Sequence, residues 1–274
     1  MIWIYEKMHP ILVGSEFRHI LDRYVLGTRK AKMTQYGFWL QGGSHIAHRL
    51  MQEGAFEQDE LALMERHLEH ADIFVDIGAN IGFYTCLGKH KGKHVIAVEP
   101  QQNNVEHLLE NMLLNGWQEG MEIYPIGLSD KAGIAILYGA SSTSASMLKS
   151  WDKTYKSIKQ IIPVSTMDAL IGDRFYGKRL LIKVDVEGVE YRVLNGALQT
   201  IQRNPKPVWI VEICLDEHRE TVNTDYLATF ELFYKNGYEA STADHRNKKV
   251  TLDDVRQWVR NRRCDSGAIN YIFT

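Results

Sequence analysis

Two stretches of this sequence combine acids and small residues in patterns that suit chemistry at strand ends. In the first, an apolar run closes on Asp76-Ile77-Gly78-Ala79-Asn80-Ile81-Gly82, an acid followed by a tight turn. About 20 residues later a second apolar run ends in Glu99-Pro100, the spacing at which a carboxylate accepts hydrogen bonds from ribose hydroxyls. Glycines in the turn let backbone approach a ligand closely. The second stretch is Asp185-Val186-Glu187-Gly188, again after an apolar run, with Glu212 near the end of the next. Carboxylates gathered there can accept a proton from a nucleophile or hold a hard divalent cation. His218 follows in a loop on the same rim and is a further candidate base.

The turn narrows the ligand. Dinucleotide sites use Gly-x-Gly-x-x-Gly. Here Asn80 stands at the second glycine and Phe83 at the third, so a pyrophosphate loses the bare backbone it needs. No Gly-Lys-Ser/Thr follows, which removes a P-loop. S-adenosyl-L-methionine carries ribose and adenine but an amino-acid tail in place of phosphate, and that tail suits a short turn with polar side chains. The expected cofactor contacts are Asp76, Gly78, Ala79, Asn80, Gly82 and Thr85 around the tail, Glu99 and Pro100 at the ribose, and Gly127 and Leu128 at the adenine. For Asp76 the alternative is a helix cap.

These residues need strands ending on one rim. Apolar runs predict strands at 73–77, 94–98, 121–127, 180–184 and 208–213, with two more near Tyr238 and over 268–273. Apolar residues at helical spacing predict helices over about 82–91, 102–115, 226–235 and 252–262, and one starting near Gly188. In the 102–115 helix, Val105, Leu108, Leu109, Met112 and Leu113 form the expected inner face. Alternating strands and helices indicate a mostly parallel sheet with helices on both sides. A hairpin arm is expected at 133–138 with an extended run at 161–164, and a Ser-rich loop at 141–146 is a candidate substrate contact. Leu61, Met64 and Leu68 mark a helix over 56–70 that packs on the sheet edge or lids the ligand, with Glu60, Glu65, Arg66 and Glu69 on its other faces. Residues 36–40 are a candidate strand, with Gly42-Gly43 as a turn.

Taken together, Asp76 to Thr85, Val98-Glu99-Pro100, Ile182 to Glu190 and Val211-Glu212-Ile213 resemble the FkbM family of class I S-adenosylmethionine-dependent methyltransferases, and Val164 to Asp168 fits as well. The resemblance runs from about residue 53 to the C-terminus. It implies a Rossmann-like fold with seven strands, the last pair antiparallel, over 56–274, preceded by an extension over 1–55. It also implies O-methylation of a sugar, glycan or natural-product hydroxyl. Asp185, Glu187, Glu212 and His218 are then the catalytic candidates. A divalent metal is compatible with three carboxylates but is not predicted. Many amino-methylating enzymes carry Asn/Asp-Pro-Pro-aromatic where this chain has Asp185, and its absence ranks a nitrogen acceptor below oxygen. Rival readings are an NAD-dependent oxidoreductase and a non-catalytic cofactor-binding scaffold.

Composition sets outer bounds. A net charge of −2 argues against a general nucleic-acid binder. Three cysteines, Cys86, Cys214 and Cys264, fit neither a zinc site nor a disulfide framework. No apolar run reaches the roughly 20 residues of a membrane span. The expectation is a cytoplasmic enzyme acting on a small-molecule or glycan acceptor. Arg246, Lys248, Lys249, Arg256, Arg260, Arg262 and Arg263 read as a solvated basic face or a contact for an acidic acceptor.

Overall fold

The computed structural model describes residues 29–43, 46–139, 145–151, 157–219 and 221–274. Residues 141–144 of the Ser-rich loop lie outside these. The chain begins with β1 (Arg29–Met33), β2 (Trp39–Gly42), α1 (Ile46–Glu53) and α2 (Gln58–His70). It continues through β3 (Ile73–Ile77), α3 (Phe83–His90), β4 (His94–Val98), α4 (Gln102–Leu114) and β5 (Met121–Tyr124). Next come β6 (Gly127–Leu128), β7 (Gly133–Tyr138), β8 (Lys159–Ser165), α5 (Met167–Ile171) and β9 (Leu180–Val184). The last part holds α6 (Glu190–Asn195), α7 (Leu198–Ile201), β10 (Val208–Glu212) and α8 (Tyr226–Lys235). It closes with β11 (Ala240–Thr242), β12 (Lys249–Val250), α9 (Leu252–Asn261) and β13 (Asn270–Phe273).

The main sheet has the order β12-β11-β13-β10-β9-β3-β4-β5. Strands β5, β4, β3, β9 and β10 are parallel, and β13 inserts antiparallel between β10 and β11. This is the expected Rossmann-like α/β sheet, with the two-residue β12 as an eighth strand at the edge. The chain leaves β3 outward to β4 and β5, then returns to place β9 on its other side. The order therefore switches between β3 and β9, where open α/β sheets bind ligands at the carboxyl ends.

Period-two alternation divides the sheet between two cores. Ile73, Val75 and Ile77 of β3 face one core with Trp209, Phe230 and Phe233. Phe74 faces the other, with Phe83, Leu87, Leu108 and Met64. That second core also takes Phe38, Leu40 and Met51, so β2 and α1 share packing with the helix that follows the glycine turn. Helix α2 sets Leu61, Met64 and Leu68 against the same face.

Several local expectations change for identifiable reasons. The expected 121–127 strand stops at Tyr124, and Gly127–Leu128 pairs instead with β8 in a separate three-stranded arm, β6-β8-β7. The helix expected from Gly188 splits into α6 and α7 at Gly196, where a Cβ would sit 2.1 Å from the Ser129 carbonyl oxygen. On α4, Leu108 and Met112 are buried, but Leu109 and Leu113 are half exposed. Asn104 and Asn111 take the inner positions instead. Asn111 donates to the carbonyls of Gln41 and Ile81, and Asn115 to that of Trp39. These amides bind β2 to α4. Near the N-terminus a turn at 34–37 joins β1 to β2, and the turn expected at Gly42-Gly43 runs into residues 44–45, outside those described.

Candidate active site

A cleft of about 840 Å³, open to solvent, lies at the carboxyl ends of β3, β4 and β9. The turn after β3 forms its floor, and every backbone donor of that turn is engaged within the protein. Gly78 and Ala79 donate to the Val98 carbonyl at 2.9 and 3.1 Å. Asn80 N–H donates to Glu99 Oε2 at 2.9 Å, and Ile81 N–H to Asn80 Oδ1 at 2.8 Å. Gly82 N–H donates to the Ala79 carbonyl at 2.8 Å. Asn80 itself has φ +52°, a left-handed position that its short polar side chain tolerates by bonding locally.

Gly78 is required by packing as well as conformation. Its φ is +83°, and a Cβ there would lie 1.7 Å from the Asp185 carbonyl oxygen. Asp185 N–H in turn donates to the Ile77 carbonyl at 2.9 Å. The two acidic stretches are thus locked backbone to backbone across the switch point.

Glu99 is 6% exposed, at the tip of β4. Besides Asn80, it accepts from Gln101 N–H at 2.8 Å and Asn104 Nδ2 at 3.3 Å, both on Oε1. Burial pushes its pKa up to about 7, against the pull of these donors. Pro100, Ile126, Gly127, Leu128, Leu137 and Met147 continue the wall. Asp76, Gly82 and Thr85 stand behind the lining. Asp76 accepts from Thr85 Oγ1 at 2.6 Å in full burial, tying the strand tip to the first turn of α3. Burial raises Asp76 to about 6. Gly82 backs onto Leu108.

The opposite wall carries Asp185 and Glu187. Asp185 Oδ2 accepts from Lys183 Nζ at 2.8 Å. Glu187, at φ +55°, accepts from the Trp151 indole N–H at 2.6 Å on Oε2. Burial and the neighbouring Asp185 charge hold its pKa well above the usual carboxylate range. Ser146, in the described part of the Ser-rich loop, donates to the Glu187 carbonyl at 2.6 Å. Glu212 and His218 stand outside the lining. Glu212 accepts from the Cys214 thiol at 3.3 Å, and burial with the Asp185 and Glu187 charges raises its pKa. His218 sets its ring 6.2 Å from that of Trp151. Among the described residues, no group of three or more His, Cys, Asp or Glu side chains is arranged to hold a metal ion.

A second set of residues was not assigned to the site from the sequence, and Glu60, expected on an outer face of α2, is buried within it. Lys183 is 3% exposed near the carboxyl end of β9. It lies 3.5 Å from Glu60 Oε1 on α2 and 4.9 Å from the centre of the Tyr84 ring. Tyr84 OH donates to Glu57 Oε2 at 2.8 Å. Burial works against the Lys183 ammonium, yet the charges of Asp185, Glu60 and Glu57 outweigh it and keep its pKa high. Burial and the Glu60 charge push Glu57 up to about 8. Two signals pointed here. Lysine interrupts an otherwise apolar central strand. Glu57 and Glu60 precede Leu61 and Met64 by four residues each, which puts them on the buried face of α2. Met51 and Phe56 also line the cleft. His48, fully buried on α1, reaches the turn with Nε2 3.3 Å from Asn80 Oδ1, while its Nδ1 accepts from Gly43 N–H at 2.9 Å.

The basic C-terminal residues serve the surface. Arg246 pairs with Asp244, Lys249 with Glu239, Arg256 with Glu231 and Asp253, and Arg263 with Asp265.

The model of the methyltransferase FkbM domain matches residues 76–265, spanning both walls of the cleft. The chain belongs to the FkbM methyltransferase family. A curated relative that it resembles is the hexuronic acid methyltransferase AglP of Haloferax volcanii, 29% identical over 157 residues, or 53% of this chain. The match spans 58% of that relative's length. Among solved structures, this chain is similar to an O-methyltransferase from Bacillus cereus in complex with SAH, at 11% identity, 79% of each chain and a TM-score of 0.44. It is also similar to the O-methyltransferase TomG of Streptomyces achromogenes, solved with SAM, at 11% identity, 79% and 78% of the two chains and a TM-score of 0.42. Among the described residues, no helix is long and apolar enough to cross a membrane.

Proposed function

We propose that this chain transfers a methyl group from S-adenosylmethionine to a hydroxyl oxygen of a sugar, glycan or natural product. The observation that carries the cofactor reading is the engaged turn. All five N–H groups from Gly78 to Gly82 already have protein acceptors, so a pyrophosphate finds no donors where a dinucleotide would need them. Glu99 Oε2 takes one protein donor and keeps a lone pair for a ribose hydroxyl.

The lining residues divide the work. Glu99 holds the ribose, and Gly78, Ala79 and Asn80 face the amino-acid tail. Ile126, Gly127 and Leu128 flank the adenine with Leu137 and Met147. When bound, the cofactor supplies a methyl group on a positively charged sulfur, open to in-line displacement. Asp185, fixed by Lys183, presents a carboxylate to that region. Glu187 accepts the hydroxyl proton of the acceptor. Trp151 occupies its Oε2, which leaves Oε1 for the acceptor. A raised pKa suits a base that must take a proton from a weakly acidic hydroxyl. Glu212, His218, Asp76 and Thr85 act behind these groups as supports.

The named substrate of the Haloferax relative supports a sugar-containing acceptor. Residues 56–274 form the methyltransferase domain in this reading, and the extension before them contributes Met51 to the cleft. A net charge of −2 and free thiols at Cys86, Cys214 and Cys264 favour a cytoplasmic enzyme without a nucleic-acid partner. Two measurements test the proposal. S-adenosylhomocysteine should raise the melting temperature and NAD should not; the reverse result restores the oxidoreductase reading. Labelled S-adenosylmethionine, incubated with protein and a glycan extract, should leave alkali-stable label on sugar. Alkali-labile label would move the acceptor atom to a carboxylate, and binding without any methylated product would leave a scaffold.

A further inference from the structure

The wall formed by Tyr84, Lys183 and Asp185 is backed by carboxyl groups that one ammonium does not balance. Glu57, Glu60 and Asp185 all act electrostatically on Lys183, and Asp185 and Glu60 pair with it directly. Glu60 is 3% exposed with neither carboxyl oxygen in a well-formed hydrogen bond; the donors that face it are the Lys183 ammonium at 3.5 Å and the Tyr84 hydroxyl. Three carboxyls therefore share one ammonium beside a cleft that this site presents to a ligand. Leaving buried charge uncompensated is costly, so the apo protein keeps part of this acidity protonated. We propose that the Glu57–Glu60–Lys183–Asp185 cluster reads the charge of the cofactor, favouring the sulfonium of S-adenosylmethionine over the neutral thioether of S-adenosylhomocysteine.

The inference rests on the proposed cofactor and adds a selection between substrate and product. A cation entering the cleft stabilises the ionised carboxyls, and a proton leaves the cluster on binding. Methyl transfer converts the sulfonium to a neutral thioether and releases one proton from the acceptor hydroxyl. The charge of the cofactor falls by one, and the cluster regains a proton as that attraction is lost. The product is then held less tightly than the substrate.

Glu57 is the group that titrates in the useful range, at about 8. The charged and titratable groups that face it are Glu60 from its own helix, Lys183 from β9, Asp185 from the tip of β9 and Tyr84 from α3. A carboxyl protonated below this value and ionised by a bound cation makes affinity rise with pH. For one linked proton the slope approaches tenfold per pH unit.

The test is titration calorimetry of the full chain with each ligand between pH 6.0 and 7.5, below the range of about 7.7–8.0 where α-amino groups titrate. Paired buffers of different ionisation heat count the protons released. Glu99, lifted to about 7, gives both ligands a shared slope; beyond it S-adenosylmethionine should gain up to tenfold more affinity per pH unit than S-adenosylhomocysteine and release one more proton. Glu57→Gln keeps an acceptor for Tyr84 and should lower the S-adenosylmethionine slope to that of S-adenosylhomocysteine, which it leaves unchanged. Equal slopes for the two ligands in the native protein, a comparison that needs no variant, overturn the inference. So does an excess slope for S-adenosylmethionine that survives in both Glu57→Gln and Glu60→Gln. Failure of both ligands to bind at any pH would instead overturn the cofactor assignment itself.

Discussion

Removing the Glu99 carboxylate tests the cofactor site most directly. Its Oε1 is saturated by Gln101 N–H and Asn104 Nδ2, and its Oε2 holds Asn80 N–H. One lone pair on Oε2 remains for a ribose hydroxyl. A hydrogen bond to a charged group is worth about 1.5–3 kcal/mol, so Glu99→Ala should weaken S-adenosylhomocysteine binding by about 10- to 150-fold. The same change strips three protein donors of their acceptor, one of them inside the glycine turn, and part of the loss will come from that turn relaxing. Glu99→Gln separates the two effects. Its amide oxygen can serve one side, but its NH₂ must then face either Asn80 N–H or Gln101 N–H. Gln should therefore recover little of the affinity, despite its matching shape. The assay is calorimetric titration at pH 8, above the value of about 7 to which burial lifts Glu99, with melting curves run alongside. Affinity within threefold of the native protein in a folded Glu99→Ala variant would refute the ribose assignment and the division of lone pairs behind it.

Three further outcomes are expected. Gly78→Ala adds a left-handed penalty of about 1–2 kcal/mol to a Cβ placed 1.7 Å from the Asp185 carbonyl oxygen; urea denaturation should show a loss of about 3 kcal/mol or more, and a loss below about 1 kcal/mol would remove the backbone lock. Glu187→Gln retains an oxygen for the Trp151 indole, so it should leave S-adenosylmethionine binding within about threefold while kcat falls at least about 100-fold; unchanged turnover would take Glu187 out of proton transfer. Burial raises Glu57 to about 8, Glu99 and Glu190 to about 7 and Asp76 to about 6. The native state therefore holds protons that the unfolded chain has released, and apo stability falls as pH rises from about 5 to 8. Below about pH 4 it falls again, because Asp72, held down to about 2 by Arg179, loses its ionised form. Scanning calorimetry without ligand should find the highest Tm near pH 4 and a Tm roughly 5 °C or more lower at pH 8; a Tm rising between pH 5 and pH 8 would refute the buried-acid account.

The strand ends of this fold were legible because β3, β4, β9 and β10 are short apolar runs whose acids fall at their tips. Asp76, Glu99, Asp185 and Glu212 could be placed on one rim from that alone. What the pattern did not carry was depth. Glu212 and His218 share the rim with Asp185 but do not line the cleft: Glu212 takes the Cys214 thiol, and the His218 ring packs beside Trp151. Likewise α2 and its N-cap carry four glutamates of equal propensity, at 57, 60, 65 and 69. Glu60 is buried, while Glu65 reaches Lys91 at a partly exposed ion pair. The difference lies in Lys183, a partner more than a hundred residues away in the chain. The inward asparagines of α4 were hidden for the same reason, since their acceptors are backbone carbonyls of β2 and the glycine turn.

The same long-range contacts explain why two acidic stretches behave as one site. The Asp185 carbonyl fills the space a Gly78 side chain would take, and Asp185 N–H returns to Ile77. A displacement of the cofactor turn therefore moves the β9 tip by a comparable amount, because neither backbone has room to yield alone. From the other side, His48 and Asn111 hold the turn through Asn80 Oδ1 and the Ile81 carbonyl. The turn is clamped between the β9 tip and the N-terminal segment. In-line displacement tolerates little misalignment, and a turn fixed on both sides sets the ribose end and the carboxylate end in one frame. On this argument β2 and α1 belong to the catalytic unit: removing them should loosen the alignment of Glu99 with Glu187 even though neither carboxylate is touched.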